Sequence, residues 1–174
     1  MIDLKHLAAQ LAFGTLHAED IQTLVHSLLN EGVFAEEFIG IINANPVTMT
    51  EVEQPLIAYL ASHGIAIPTK DDAVWTLTRH HISLVLSGEV DPIEQLKAWM
   101  DEVYWAYDFD ANSQEALGDC RGLEELIGTY WRYEAMADDP QAIPYGDKYG
   151  QEGIEQAKKD IVTNCETWLT KYGN

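Results

Sequence analysis

The stretch DPIEQLKAWMDEVYWAY, residues 91–107, decides the fold class because it combines a helix start with a helical period. Asp91 offers a side-chain oxygen as an N-cap, and Pro92 suits the first helical position, where its missing N–H costs nothing. Glu94 takes the reciprocal capping position. Apolar residues then recur at spacings of three and four, as on one helix face: Ile93, Leu96, Met100, Val103 and Tyr107. The stretch therefore predicts an amphipathic helix that ends near Tyr107.

Helical signals of the same kind recur along the chain. Thr69 with Asp72 frames one helix start, and the helix before it has two candidate starts, a Thr50–Glu53 capping box or a first turn that holds Pro55. No Asn-Gly or Asp-Gly turn separates alternating runs, as a hairpin would require. The sequence thus predicts an all-α, single-domain bundle of about seven or eight helices. Apolar stripes with the helical period occupy residues 4–11, 21–29, 38–42, 56–61, 73–86, 123–137 and 154–172.

The domain organisation is read from the chain length and from the distribution of aromatic residues. A chain of 174 residues has a length common for one domain, so residues 1–174 are predicted to form one acidic helical domain. Residues 1–74 hold four aromatics and no tryptophan, whereas residues 75–174 hold thirteen, including all five tryptophans. This shift indicates either two lobes that meet near residues 65–70 or a single lopsided core, and both interpretations stay open.

The charge balance is the most unusual feature of the composition. Ten basic residues stand against 29 acidic ones, which gives a net charge of −19. Nucleic-acid binders concentrate positive charge, and anionic membrane surfaces attract it, so neither partner is expected. The sequence begins without a signal peptide and holds no run of the roughly 18–20 apolar residues that span a bilayer, which predicts a cytoplasmic location. Cys120 and Cys165 form no CxxC motif and are expected to be reduced, buried thiols.

Motifs for catalysis or metal binding are incomplete throughout. No glutamate lies three residues before a histidine, and HExxH, GxSxG and phosphate-cradling glycine motifs are absent. His80 and His81 are adjacent on a helix, where side chains point about 100° apart and share a metal poorly. Asp108, Asp110 and Asn112 start like an EF-hand loop, but the sixth position is a serine rather than glycine. We therefore predict no catalytic residue, cofactor or metal.

The informative segment is 89–139, which is both acidic and aromatic. It holds fourteen acids and three bases, and so supplies eleven of the nineteen net negative charges. A helical projection at about 100° per residue places Trp105 opposite the core stripe, beside Asp101 and Glu102, and Trp131 to one side of the next helix. The same projection turns five residues of that helix inward: Leu123, Leu126, Ile127, Tyr130 and Ala137.

Two interpretations of Trp105 and Trp131 are open. If neighbouring helices cover both faces, the two indoles belong to the core. If they are exposed, they form an aromatic set in an acidic field, and tryptophan and tyrosine are enriched at binding hot spots. Clustered carboxylates would steer a basic partner towards them. The loop with Asp139, Tyr145, Asp147 and Tyr149 has the same composition and would extend such a patch.

The segments EVDPIEQL, residues 89–96, and WAYDFD, residues 105–110, together with the acidic, helical character of the chain, resemble immunity proteins of bacterial toxin systems. The resemblance is to those that guard against contact-dependent growth-inhibition toxins. It implies tight binding to a toxin domain, often a nuclease such as a tRNA-cleaving enzyme, by plugging its catalytic cleft or covering its substrate surface. These proteins share no signature motif, and no functional residue is carried over from them.

The leading hypothesis is an immunity protein that binds a basic toxin C-terminal domain and performs no catalysis. The acidic residues predicted to replace substrate phosphates are Asp101, Glu102, Asp108, Asp110 and Asp119. The predicted aromatic anchors are Tyr104, Trp105 and Tyr107, of which Tyr107 also fits the core face. A helical adaptor for a partner other than a toxin, and a helical enzyme with a carboxylate site, are the alternatives. The toxin's identity, the mode of inhibition and the oligomeric state are left open.

Overall fold

The structure is a computed structural model that describes residues 3–109 and 121–173, and within them it is all-α, as the sequence predicts. The described residues hold eight α-helices and one π-helical turn directly after the sixth helix. The bounds are α1 Leu4–Phe13, α2 Ala18–Asn30, α3 Glu37–Asn43, α4 Met49–Ser62, α5 Lys70–Ser87, α6 Pro92–Trp99, the π-helical turn Met100–Tyr104, α7 Glu124–Asp138 and α8 Gly150–Tyr172.

Side-chain caps explain where several helices begin. The Asp91 carboxylate accepts hydrogen bonds from the backbone N–H groups of Ile93 and Glu94, at 2.9 and 3.4 Å, which confirms the predicted start of α6. At the start of α5 the Asp72 backbone N–H donates to the Thr69 hydroxyl at 3.1 Å, and this hydroxyl donates to the Asp72 carboxylate at 2.7 Å, as the sequence predicts for this helix start.

The start of α4 differs from both candidates. The helix begins at Met49, and the hydroxyl of Thr48 donates to the Glu51 carboxylate at 3.1 Å, so the capping pair lies two residues before Thr50 and Glu53. Pro55 lies inside the helix, where it removes one backbone hydrogen bond and leaves the helix otherwise continuous.

Backbone contacts divide the chain into two compact units, Met1–Leu77 and Thr78–Asn174, and the division falls within α5. The first unit is built on α1–α4 and the beginning of α5. Its main cluster of buried residues is aliphatic apart from Phe38 and Tyr59, whose ring centroids lie 4.7 Å apart, and Phe13 and Trp75 are buried as well. The proposal of two lobes that meet near residues 65–70 stays a prediction.

The second unit packs α6, α7 and α8 against one another. The last helix buries Ala157, Ile161, Cys165 and Trp168, which confirms the face predicted from their spacing. Burial raises the pKa of the Cys165 thiol to about 12, so this cysteine is an inert core residue. Cys120 lies outside the described residues.

Two predicted details of this unit are wrong. The helix that starts at Pro92 does not reach Tyr107, because it widens into the π-helical turn and ends at Tyr104. Ala137 is exposed rather than inward, because Met136 fills the inward position beside it. Met136 packs so closely on Gly153 of α8 that a Cβ atom at Gly153 would lie 2.6 Å from the Met136 sulfur.

The loop between α7 and α8 is held by Tyr145, which is buried. Its hydroxyl donates to Asp160 Oδ2 at 2.9 Å, and the Arg132 guanidinium lies over its ring at 5.8 Å. Burial and the hydrogen bond to Asp160 raise the pKa of Tyr145 to about 12. The prediction that Tyr145 extends an exposed patch is therefore wrong, whereas Tyr149 of the same loop is exposed.

Candidate functional site

The structure places Trp105 and Trp131 on the surface of the second unit and in contact with each other. Trp105 is 61% exposed and Trp131 is 41% exposed. Their ring centroids lie 5.7 Å apart, with an interplanar angle of 67°, an edge-to-face arrangement favoured by aromatic pairs. The interpretation that both indoles are core residues is thus wrong. We call Trp105 and Trp131 the tryptophan pair.

The tryptophan pair is supported by neighbouring aromatic rings, of which Trp99 and Phe109 are buried and Tyr104 is half-buried. Tyr104 lies 4.9 Å from Trp105 and stacks on Phe109, with centroids 5.8 Å apart and an interplanar angle of 19°. Tyr104 also lies 5.9 Å from Trp99, whose indole N–H donates to the Thr78 hydroxyl at 3.1 Å in the core. The exposed indoles therefore rest on a fixed base, and less side-chain freedom remains to be lost on binding.

The π-helical turn positions Trp105. The Trp105 N–H donates to the Met100 carbonyl, five residues back, at 3.2 Å. The wider turn keeps Trp99, Met100 and Val103 buried, while Trp105 points outward where the helix ends. A projection with the ordinary helical period predicts the outward direction of Trp105 but not this turn.

The other predicted site residues occupy different environments. Asp101 and Asp108 are exposed, whereas Tyr104 and Tyr107 are half-buried. Tyr107 packs edge-on against Phe109, with centroids 4.9 Å apart. Asp110 and Asp119 lie outside the described residues.

Glu102 is half-buried and engaged within the unit. Its Oε2 atom lies 2.7 Å from His81 Nε2, and the Gln95 side-chain nitrogen lies 2.7 Å from His81 Nδ1. With a neutral imidazole, Gln95 donates to Nδ1 and the Nε2–H donates to Glu102. This carboxylate therefore has a structural role in joining α5 to the π-helical turn, besides the partner contact predicted for it. His80, by contrast, is half-buried on the next face of α5.

A groove of about 510 Å³ lies between α6 and α7, beside the tryptophan pair. We call it the α6–α7 groove. Trp131 contributes to its wall, and the Tyr130 hydroxyl donates to Glu134 Oε1 at 2.7 Å. Burial, this hydrogen bond and the nearby charges of Glu134 and Asp101 raise the pKa of Tyr130. The charged residues of the lining are Glu94, Lys97, Glu134 and Asp138.

The sequence did not single out this groove. The spacing of Tyr130 and Glu134, one helical turn apart, was a usable signal for their hydrogen bond. That Glu94 of α6 and Asp138 of α7 line the same groove depends on how the two helices pack, which no local pattern reveals.

Within residues 3–109 and 121–173, no group of three or more His, Cys, Asp or Glu side chains is arranged to hold a metal ion. None of the helices in the described part of the chain is both long and apolar enough to cross a bilayer. Comparisons of the chain with protein-family models, with curated proteins and with solved structures find no match.

Proposed function

We propose that this chain is an immunity protein that binds and neutralises a cognate bacterial toxin domain, a nuclease such as a tRNase, by covering its basic active-site surface. The observation that supports this proposal is the exposed tryptophan pair in the segment that carries most of the acidic excess. The chain acts as a binding protein in this proposal and carries out no catalysis itself.

The exposure of the tryptophan pair is costly unless a partner covers it. A large apolar ring in water loses the stabilisation that burial provides, and exposed aromatic clusters mark interaction surfaces. Trp105 is the central anchor, with Tyr104 and Tyr107 at its side. Truncation of such an anchor at a protein interface commonly costs about 2 kcal/mol or more of binding free energy.

The net charge of the chain favours a partner with a positively charged surface. A net charge of −19 attracts a basic surface and raises the association rate, whereas two copies of this chain repel each other. Nuclease active sites are basic because they bind phosphates. In this proposal the carboxylates of Asp101 and Asp108, together with Asp110 and Asp119, take the place of those phosphates.

The deciding experiment pairs the chain with its candidate target. The chain is co-expressed with the C-terminal toxin domain encoded immediately upstream of it, and growth and size-exclusion profiles are recorded. We expect rescued growth and a stable complex whose association rate falls as salt rises. Trp105→Ala should weaken the complex, while Phe34→Ala serves as the matched control, because Phe34 is 66% exposed but lies in the first unit.

The adaptor alternative uses the same surface and is separated by the same experiment. Failure of both rescue and complex formation would contradict the immunity proposal and favour a partner other than a toxin.

A further inference from the structure

We propose that the α6–α7 groove accepts an arginine side chain of the basic partner, with the guanidinium against the Trp131 indole and between the carboxylates of the two helices. This inference rests on the proposed function, because the arginine belongs to that partner. It adds the chemical identity of the group that is recognised and the place where it binds.

The shape of the groove is suited to a side chain with an apolar stem and a charged end. Its volume of about 510 Å³ falls in the range of pockets that bind small molecules. Ile93 and the rings of Trp131 and Tyr133 give it an apolar wall along which a stem can lie. Trp131 keeps 41% of its surface exposed in the free chain, so the ring is accessible to a ligand.

The charge of the groove specifies a cation. Its lining holds three carboxylates, those of Glu94, Glu134 and Asp138, and one ammonium group, that of Lys97. The lining therefore has an excess of two negative charges. The hydrogen bond from the Tyr130 hydroxyl fixes the Glu134 carboxylate at 2.7 Å. A fixed carboxylate loses less freedom when it pairs with a ligand than a mobile one does.

The combination of an indole and carboxylates favours guanidinium over ammonium. A guanidinium is planar, stacks on aromatic faces and bonds carboxylates with two parallel N–H groups, whereas an ammonium is a strongly hydrated point charge. A purely apolar occupant would bury the carboxylates without partners, which costs free energy. A second copy of this chain would bring further negative charge to the groove.

The test is a titration of the whole, isotope-labelled chain followed by nuclear magnetic resonance. The probes are Nα-acetyl-arginine amide, its lysine counterpart and its citrulline counterpart, which has a similar shape but no charge, all at constant ionic strength. The indole N–H signal of Trp131 is assigned with a Trp131→Phe variant. We expect a saturable shift of this signal with the arginine probe, a weaker effect with lysine and none with citrulline.

Variants of the groove sharpen the test. Glu134→Gln keeps the acceptor for Tyr130 but removes the charge, and should weaken arginine binding about tenfold, as expected for the loss of a charge-assisted hydrogen bond. Glu125→Gln is the matched control, since Glu125 is exposed on the same helix and does not line the groove. Equal weakening by both variants would show that only overall charge matters and would overturn the proposal.

Other outcomes are equally decisive. Equal shifts with arginine and citrulline, or no saturable shift of the Trp131 signal, would refute guanidinium recognition. A concentration-dependent shift without any probe, together with the mass of a dimer, would assign the groove to a second copy and overturn the proposal. If the co-expressed toxin fails to bind while the arginine response persists, the proposed function fails and the groove assignment survives. If the toxin binds and Glu134→Gln changes neither toxin binding nor binding of the arginine probe, the proposed function survives and the groove assignment fails.

Discussion

The replacement Trp105→Ala separates a binding residue from a core residue by two independent measurements. In the free chain most of the Trp105 ring is already in water, since 61% of the side chain is exposed. Its main aromatic contacts are with Tyr104 at 4.9 Å and with Trp131 at 5.7 Å. Aromatic pairs contribute about 0.5–1.5 kcal/mol each beyond burial, so the loss of these two pairs should lower the free energy of unfolding by about 1–3 kcal/mol.

Binding should weaken in addition to this loss of stability. The loss of about 2 kcal/mol or more at a hot spot corresponds to a dissociation constant raised roughly 30-fold or more. Urea unfolding of the free variant measures the first quantity, and calorimetric titration with the cognate toxin domain measures the second. Phe34→Ala, which also removes an exposed aromatic ring, should leave the dissociation constant unchanged.

The reverse pattern would refute the reasoning. Removing a tryptophan from a core costs about 3–5 kcal/mol of stability. If Trp105→Ala loses that much stability while its affinity for the toxin stays unchanged, then Trp105 is a structural residue and the tryptophan pair is not the binding surface.

Four further replacements test the packing and the polar contacts in the second unit. Gly153→Ala should lower the free energy of unfolding by about 1–3 kcal/mol, because its Cβ would lie 3.0 Å from a backbone carbonyl. Gly128→Ala, with open space at its Cβ, should raise the free energy of unfolding by about 0.5–1 kcal/mol. Equal urea midpoints for the two variants would contradict the packing described at Gly153. Glu102→Ala should lower the free energy of unfolding by about 1–3 kcal/mol, since it leaves the Nε2 atom of the buried His81 without its partner at 2.7 Å. A loss within error would show that water replaces the contact. Tyr145→Phe should cost about 1 kcal/mol at neutral pH. Because the folded-state pKa of Tyr145 is raised from 10.0 to about 12, the wild-type advantage should be complete below pH 10 and disappear as pH rises through 12, and a constant difference in unfolding free energy across that range would refute the assignment.

Local signals predicted the helices because helix starts and faces depend on residues close together in the sequence. The cap at Asp91 follows from the Asp-Pro start, the buried face of α8 follows from spacings of three and four, and both are present. Neither candidate start of α4 is correct: the capping pair is Thr48 with Glu51, and Pro55, which favours a first turn, is tolerated deeper inside the helix. The π-helical turn was missed because it preserves the composition of a helix while changing its hydrogen bonds.

The contacts that build the site depend on tertiary packing. Helical projections, made for each helix on its own, place Trp105 and Trp131 away from the core. No local pattern could show that their ring centroids lie 5.7 Å apart. The contact between His81 and Glu102 joins residues 21 positions apart and is equally invisible to periodicity. Sequence reasoning therefore identified candidate side chains, whereas their grouping into a pair and a groove required the structure.

Charge and aromatic exposure have different roles in the proposed recognition. Acidic residues exceed basic ones by eight in residues 1–77 and by eleven in residues 78–174, so attraction alone does not choose one unit. The exposed tryptophans do distinguish the two units. Trp75, Trp99 and Trp168 are buried, while the other two of the five lie exposed in the second unit and contact each other. Long-range attraction accelerates encounter with any basic partner, and rigid apolar contact slows dissociation of the one that fits. In the proposed recognition, the acidic charge therefore sets the speed of association, and the tryptophan pair sets where the partner binds.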